Sequence, residues 1–510
     1  MPDQPTFSAI NPSTGQSIAS YRESTRADVD AAAGVAQAAF TTDLPPFWQT
    51  DLLDTVADRI VDLGDPLLEI AEAESALPRP RLTGERARTT SQLKLFAAHV
   101  RQGAWLDAVI DTADPSRKPA AKPDLRRMNI PRGPVAVFGA SNFPLAFGTI
   151  GGDTASAMAA GNPVIVKGHP SHPGTSALVA SAVMAALDHL HLPKGLFSLL
   201  QGTSHDLSAY LVQHPAITAV GFTGSQRAGR ALFDLAAARP RPIPVFAEMG
   251  SVNPLIIMPG AIKANGDAIG KGLAGSILLG VGQFCTKPGI LLVIGDDRRP
   301  LIQSLTAALT SGGTMLNENL RNNFCSNTSS IAQTPGVQTL LAGFSQNHAG
   351  ITPSLFATEA ATFLANPRLH EEAFGPAALM VHCPHPQDAI NCLSHIEGSL
   401  TGSLHFSPDD DQKMVRQLLV ALQSIAGRVI INGFPTGVEV SPAMVHGGPY
   451  PATTDPNSTS VGTAAIRRFT RMIAYQDVPD TLLPPALQNA NPLHIPRTVN
   501  NQTNTGSIGQ

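Results

Sequence analysis

The sequence predicts an α/β protein made of two successive strand–helix systems. Three observations carry that expectation. Short apolar runs alternate with helix-length segments between residues 134 and 248, a second apolar system runs from Ser251 to about Val440, and glycine or proline closes many of the runs. Such alternation implies parallel strands joined by right-handed helical crossovers. In open sheets of this kind ligands gather at the carboxyl ends of the strands.

The elements follow in chain order. From Thr25 to Ile70 the residues Val29, Ala32, Ala33, Ala36, Ala39 and Phe40, then Leu52, Leu53, Val56 and Ile60, recur at helical spacing. Leu93, Phe96, Ala97 and Val100 continue the helical pattern over 90–106, and the Pro-, Lys- and Asp-rich stretch 111–124 reads as an excursion or exposed linker. A strand is expected over 134–138, then a helix over 149–160 stopped by Gly161-Asn162-Pro163, and a strand over 164–167. Helices over 174–190, 207–213 and 226–237 then alternate with strands over 196–200, 217–222 and 243–247. The second system includes 273–279, 290–294, 379–381 and 428–431; the Asn- and Thr-rich end of the chain is expected to fray over its last dozen residues.

Composition narrows the function classes. At 510 residues the chain is long enough for two or three domains. It is 43% hydrophobic and 15% charged with a formal net charge of −4, which argues against a disordered chain and lacks the basic bias favoured by nucleic acid or an anionic membrane. The most apolar stretches, 134–166 and 273–294, are broken by Asp153, Lys287, prolines and glycines, so neither offers the roughly 20 continuous apolar residues of a membrane span. The polar N-terminus carries no readable secretory signal, and a cytoplasmic protein is expected. Four cysteines, at 285, 325, 383 and 392, form no CxxC pair; reduced thiols and no metal site are expected.

Four places carry candidate chemistry. Cys285 lies in the loop Gly282-Gln-Phe-Cys-Thr-Lys-Pro-Gly289; an isolated cysteine is usually inert, and a reactive one needs donors or positive charge, which Lys287 could supply unless it faces solvent. Glu248 ends an expected buried strand, where it either caps a turn or, with its pKa raised by an apolar pocket, serves as a general base. Asn142, in Gly139-Ala-Ser-Asn-Phe-Pro144, makes an Asx-turn or donates its amide to an oxyanion. The G-x-G-x-x-G dinucleotide fingerprint is missing; instead the second strand ends in Lys167, which can donate to ribose hydroxyls and tolerates a 2′-phosphate, and Phe222-Thr-Gly-Ser225 with Gly229 opens a helix able to present N–H groups to a pyrophosphate.

Taken in order, Ser141-Asn142-Phe-Pro, Val166-Lys167, Phe222-Thr-Gly-Ser225-x3-Gly229, Glu248-Met-Gly, Gly282-Gln-Phe-Cys285 and Glu371-Glu-Ala-Phe-Gly-Pro376 resemble the aldehyde dehydrogenase superfamily along nearly the whole chain. The loops Phe138–Phe147, Gly151–Ser156, Lys167–Gly174 and Cys285–Gly289 look most like the α-ketoglutaric semialdehyde (2,5-dioxopentanoate) dehydrogenases and related fatty-aldehyde enzymes. The resemblance implies a Rossmann-like dinucleotide-binding domain (1–110 and 128–248), a catalytic α/β domain (249–440), a small β extension for oligomerisation (111–127 and 467–497) and a flexible tail (498–510). It implies Cys285 as nucleophile, Asn142 with the Cys285 N–H as oxyanion hole, and Glu248 as the base that activates water. Lys167, His169, Pro170, Gly224, Ser225 and Gly229 would hold the dinucleotide, Glu372 and Phe374 the nicotinamide ribose and ring, and Phe143, Phe147 and Phe434 the aldehyde.

Some positions depart from the common pattern. Ser141 replaces a tryptophan, and Pro170 replaces the glutamate that binds the 2′-hydroxyl of NAD; with Lys167, His169 and His205 near, this favours NADP with NAD possible. The usual Pro-Phe-Gly-Gly run gives way to Asn432-Gly-Phe-Pro-Thr-Gly437 and His446-Gly-Gly-Pro-Tyr450, which alters the substrate channel. The expected reaction is NAD(P)-dependent oxidation of an aldehyde to a carboxylate, with α-ketoglutaric semialdehyde giving 2-oxoglutarate, in a homodimer or homotetramer. Arg101, Arg132, Lys287 and Arg467 are equal candidates to anchor a substrate carboxylate. Two other readings stand beside it: a broad or long-chain aldehyde dehydrogenase, and a non-catalytic binding protein on the same fold.

Overall fold

A computed structural model describes residues 5–345 and 348–508. Its first sheet has five parallel strands in the order Phe197–Leu200, Val164–Lys167, Val135–Phe138, Ala219–Thr223, Val245–Glu248. The strand pleat sends alternate side chains to opposite faces. Val135, Val137, Val164 and Val166 therefore pack into one core with the helices Trp48–Asp62, Arg79–Gln102, Gly152–Ala159 and Pro173–His189. Ala136, Phe138, Ile165, Val220 and Phe222 pack into another with Arg26–Phe40, His205–Gln213 and Gln226–Ala237. Covering on both faces is what makes the strands continuous apolar runs. Register aligns the strand ends: Phe138 stands opposite Lys167 and Phe222, and Thr223 opposite Glu248.

Local chemistry sets the helix limits. Thr25 and Asp28 form a reciprocal capping box at the start of Arg26–Phe40. Arg79–Gln102 has a proline in its first turn and stops at Gly103, whose φ of 69° suits glycine. The buried Glu85 on that helix accepts N–H bonds from Leu145 (2.8 Å) and Ala146 (2.9 Å), fixing the loop that carries Asn142.

The second sheet has seven strands, ordered Gln338–Leu341, Ser354–Glu359, Ala377–Cys383, Ile290–Ile294, Leu255–Ile257, Ser399–His405, Ala426–Ile431; only the first pairs antiparallel. Leu273 to Leu278 lie in the long helix Pro259–Leu278, which covers one face of this sheet.

A third sheet joins Thr470–Gln476, Leu125–Pro131, Val109–Asp111, Arg497–Val499 and Gln502–Asn504. The 111–124 excursion closes on itself through a bridge between Asp114 and Lys122. The expectation of a frayed or flexible end after residue 498 is corrected: Arg497–Val499 pairs with Val109–Asp111, and Gln502–Asn504 turns back on it. Arg497, only 2% exposed, donates to Gly506 O at 2.9 Å, so a buried guanidinium ties down a segment whose polar composition suggests none. Residues 509–510 lie outside the described residues. Among the described residues no helix is long and apolar enough to cross a membrane.

Candidate active site

A cleft of about 620 Å³ opens where the carboxyl ends of the first sheet meet the second unit. Ser141, Asn142, Gly224, Ser225 and Glu248 line it from one side, and Cys285, Glu372 and Phe374 from the other. Residues far apart in sequence thus share one wall-to-wall space, as open α/β topology expects at strand ends.

The loop that carries the thiol is held tightly. Gly282 has φ 65°, and a Cβ there would stand 2.3 Å from the Gly375 backbone. The Asn253 amide donates to Cys285 O (2.7 Å) and Lys287 O (3.0 Å). Lys287 does not face solvent: it is 1% exposed, and its Nζ donates to Ala373 O (3.1 Å) and Ala377 O (2.7 Å). Burial brings this lysine down to about 8, against the pull of Glu372. It braces the loop from behind.

Cys285 is half-buried, with its Sγ 3.4 Å from His446 Nε2. The same nitrogen stands 2.9 Å from Glu248 Oε1, and Glu248 Oε2 accepts from the Ser460 hydroxyl. Burial pushes the thiol well above its ordinary pKa, and the charges of Glu248 and Glu372 push the same way; Arg88 opposes them. Burial alone would raise Glu248 as well, but His446, Ser460 and Cys285 together hold it below the ordinary glutamate value. The carboxylate is therefore the charged form at neutral pH, beside a thiol its surroundings keep protonated.

Sequence reasoning did not single out His446. The loop reaches the site by pairing alongside the edge strand Val245–Glu248: Met249 N donates to Ala452 O (2.8 Å), Thr454 N to Ala247 O (3.1 Å), and Glu248 bridges Thr453. A histidine followed by two glycines in an irregular loop carries no periodic signal, so only its departure from the family pattern marked it.

The Asn142 side-chain amide donates one hydrogen to Gln283 O (3.0 Å), while the Asn142 backbone carbonyl accepts from Arg81 Nη2 (2.7 Å). That fixes the amide and leaves its second hydrogen for another acceptor. Phe143 packs edge-on with Phe147 (5.5 Å between centroids) and Phe284 (5.0 Å), and Phe147 lies 6.4 Å from the His446 ring. Phe434 is not part of this group, contrary to expectation. It packs at 5.2 Å on His405 and against Gly272 of the helix Pro259–Leu278, in a different apolar cluster. The Asn432–Gly437 turn stays attached to the end of its strand, since Asn432 N donates to Leu404 O (3.0 Å) and Arg428 donates to Pro435 O (2.7 Å).

The cleft fits a dinucleotide on three counts. Buried Glu372 Oε1 and Thr223 Oγ1, both on cleft-lining residues, have no partner within the protein. Ser225 caps the twelve-residue helix Gln226–Ala237, so that its N-terminal N–H groups open onto the cleft. At Gly229 and Gly250 a Cβ would stand 2.7 Å from Met249 Sδ and 2.5 Å from Glu372 Oε2, so a side chain at either would intrude on the wall. Burial raises Glu372 to about 7, against Lys287 and the Ser251 N–H. Farther along the strand ends, Lys167 donates to Gly202 O (2.6 Å) and is brought down to about 8 by burial, with Glu23 pulling upward. His169 accepts from Ser171 N (3.2 Å) and lies against His172, pushed well below its ordinary value by burial, His172 and Lys167. Pro170 follows in the turn leading to Pro173–His189.

None of the four basic residues proposed as an anchor is placed to meet substrate. Arg101 pairs with Asp54 (3.2 Å), Arg132 donates to Arg468 O (3.1 Å), Lys287 is enclosed, and Arg467 is exposed. Arg88 is better placed. Its guanidinium stacks over Phe147 (5.2 Å) and Phe143 (5.9 Å), its Nε and Nη2 are buried without partners, and burial lowers its pKa while Glu85, Cys285 and Glu248 act on it.

Comparison with known proteins agrees with this geometry. The model of the aldehyde dehydrogenase family matches residues 1–472. The chain is 47% identical over 500 residues to α-ketoglutaric semialdehyde dehydrogenase 2 of Azospirillum brasilense, covering 96% of this chain and 95% of the relative. It is 43% identical to the α-ketoglutaric semialdehyde dehydrogenase of Acinetobacter baylyi, covering 97% and 95%. Among solved structures, an NADP complex of a glyceraldehyde-3-phosphate dehydrogenase from Methanocaldococcus jannaschii superposes with a TM-score of 0.79 at 19% identity, covering 93% of this chain and 99% of that one; this shows the shared fold.

Proposed function

The chain belongs to the aldehyde dehydrogenase family, and we propose that within it the chain oxidises α-ketoglutaric semialdehyde to 2-oxoglutarate, with Cys285 as nucleophile, Glu248 as hydrolytic base and Asn142 as oxyanion donor. As a family member it is an NAD(P)-dependent oxidoreductase that converts an aldehyde to a carboxylate. The observation that carries the residue assignment is the shared cleft, in which the thiol, the carboxylate and the dinucleotide-facing strand ends meet.

In the first step the Cys285 sulfur bonds to the aldehyde carbon as the carbonyl electron pair moves to oxygen. The free Asn142 amide hydrogen and the Cys285 N–H meet that charge; such a donor is worth about 10²–10³ in rate. NAD(P), when bound, supplies the two-electron acceptor that turns the thiohemiacetal into a thioester. Glu248 then takes a proton from the water that attacks the thioester, and the carboxylate product and free sulfur separate. On the substrate side the mutually packed Phe143 and Phe147 form one apolar wall for the aldehyde chain, and Arg88, stacked over both with Nε and Nη2 unpaired, is the group assigned to its distal carboxylate. For the dinucleotide, Glu372 and Phe374 would hold the nicotinamide ribose and ring, and Gly224 and Ser225 at the start of the helix Gln226–Ala237 would hold the pyrophosphate, with Gly229 keeping that helix close against Met249.

NADP is proposed as the preferred cofactor because Pro170 offers no carboxylate to the adenine ribose and Lys167 lies beside it. The exposed edge strand Thr470–Gln476, with Met472 63% exposed, supports assembly as a dimer or tetramer. Steady-state kinetics with NAD and NADP on α-ketoglutaric semialdehyde and hexanal tests the proposal. The expected result is a kcat/KM at least tenfold higher for the acidic aldehyde; equal or better use of hexanal overturns it in favour of a broad aldehyde dehydrogenase.

A further inference from the structure

The imidazole brought in by the 446–460 loop has a place in the reaction that neither Cys285 nor Glu248 fills. His446 is 1% exposed, and its backbone is fixed on both sides: its N–H donates to Thr459 Oγ1 (2.8 Å), and its carbonyl accepts from Ser460 N (2.8 Å) and the Ser460 hydroxyl (3.1 Å). The two glycines that follow are closely packed. A Cβ at Gly447 would stand 2.6 Å from Ser458 O, and one at Gly448, with φ 153°, 2.4 Å from Ser399 O. The ring is therefore held in place against both reacting side chains.

The nucleophile needs a proton acceptor. Only the thiolate attacks carbon effectively, and here burial, Glu248 and Glu372 all favour the thiol. The groups that face this corner from the surrounding elements are Glu248 on its strand, Glu372 from the 371–374 segment, Arg88 from the helix Arg79–Gln102 and Arg428 from the strand Ala426–Ile431. Behind Glu248 stands Asp153, paired with Arg468 at 2.7 Å. The Nε2 of His446 meets Sγ with hydrogen-bond geometry, whereas Glu248 Oε1 stands beside the same nitrogen at ion-pair distance.

We propose that His446, in the tautomer that carries its hydrogen on Nδ1, takes the Cys285 thiol proton on Nε2, leaving an imidazolium between the attacking sulfur and the Glu248 carboxylate. The S–H bond breaks as the S–C bond to the aldehyde carbon forms, and the carbonyl pair moves to oxygen. Glu248 first stabilises the imidazolium charge, then accepts the proton of the hydrolytic water. When the thioester breaks, the imidazolium returns its proton to sulfur and Glu248 passes the water proton to solvent, so the thiol, the imidazole and the carboxylate are all restored. The role rests on Cys285 being the nucleophile, as proposed above.

The test reads the thiol without substrate. Iodoacetamide alkylation of Cys285, located by peptide mass spectrometry, is followed from pH 5 to 10 in the unaltered chain and in His446→Gln, His446→Ala and Glu248→Gln. Because the resting thiol is protonated, a base that takes its proton during attack is expected to show in the wild-type rate below the thiol midpoint, which falls less than the tenfold per pH unit of a free thiolate. In His446→Gln the rate tracks free thiolate and falls tenfold per pH unit, alkylation at pH 7 slows at least tenfold, and added imidazole restores part of the rate to His446→Ala. A wild-type rate that falls tenfold per pH unit over this range overturns the proposal even if the variants do not fold. So does a His446→Gln profile equal to wild type; a pH 7 rate lowered only by Glu248→Gln assigns the acceptor to Glu248 instead. If Cys285 is alkylated completely with no loss of aldehyde oxidation, the nucleophile assignment fails rather than this one.

Discussion

Residues 134–250 and residues 446–460 both supply side chains to the same site, yet they were built from different kinds of sequence. The first region is a run of strands whose alternate residues enter two separate cores, and its functional groups sit at strand ends that register aligns. The second is a glycine- and proline-rich loop without periodicity. Its path is set by pairing with the edge strand at 452–454 and by hydroxyl contacts from Thr459 and Ser460. A strand end can be located from hydrophobic period alone, whereas a loop residue is located only by the partner it folds onto.

The largest expected effect breaks the site at the point the two regions share. Cys285→Ala should lower kcat for aldehyde oxidation by about 10⁴-fold or more, while NAD(P) binding, read by fluorescence titration, stays within a few-fold of wild type. Retained turnover would remove the thiol from the reaction. Glu248→Gln comes next: turnover should fall by about 10²–10³-fold, with an initial burst of NAD(P)H stoichiometric with enzyme as the thioester accumulates. Absence of the burst in rapid mixing would show that Glu248 acts before the redox step.

Much of this was legible before any coordinates. The strands at 164–167 and 290–294 and the helix at 226–237 fall where the apolar pattern places them, because their residues are buried on both faces or capped by Ser225. Cys285, Glu248, Asn142, Ser225, Glu372 and Phe374 meet in one cleft, as their motifs imply. What the pattern did not show depends on tertiary contacts. Phe434 leaves the aldehyde side because its turn stays bonded to its own strand, His446 enters because its loop extends the other sheet, and Lys287 turns inward to two carbonyls. The end of the chain is ordered by one buried arginine that composition does not distinguish from an exposed one.

Arg88 sharpens the comparison, since it comes from neither region but from the helix Arg79–Gln102 packed against the Asn142 loop. A charge-assisted hydrogen bond is worth about 1.5–3 kcal/mol. Arg88→Met should therefore lower kcat/KM for the acidic aldehyde by roughly 10- to 100-fold, mostly through KM, and leave that for hexanal nearly unchanged. Equal losses on both aldehydes would mean that the side chain only supports Phe143 and Phe147.

The smallest effect concerns Glu372, and its two consequences run in opposite directions with pH. Burial raises its pKa from an ordinary 4.5 to about 7, so the fold favours the protonated carboxyl. Its contribution to stability is complete below about 4.5 and is lost as pH rises through about 7. Dinucleotide binding needs the opposite form, because only the carboxylate offers both oxygens, including the unpartnered Oε1, as acceptors for ribose hydroxyls. The KM for NAD(P) should accordingly rise a few-fold as pH falls from 8 to 6, while thermal melting of the free protein shifts the other way, by a few degrees toward higher Tm. In Glu372→Gln both slopes should flatten, the KM remaining high throughout. If the variant keeps the wild-type pH dependence of KM, then the ribose is held by other groups and Glu372 serves only to balance Lys287 behind the thiol loop.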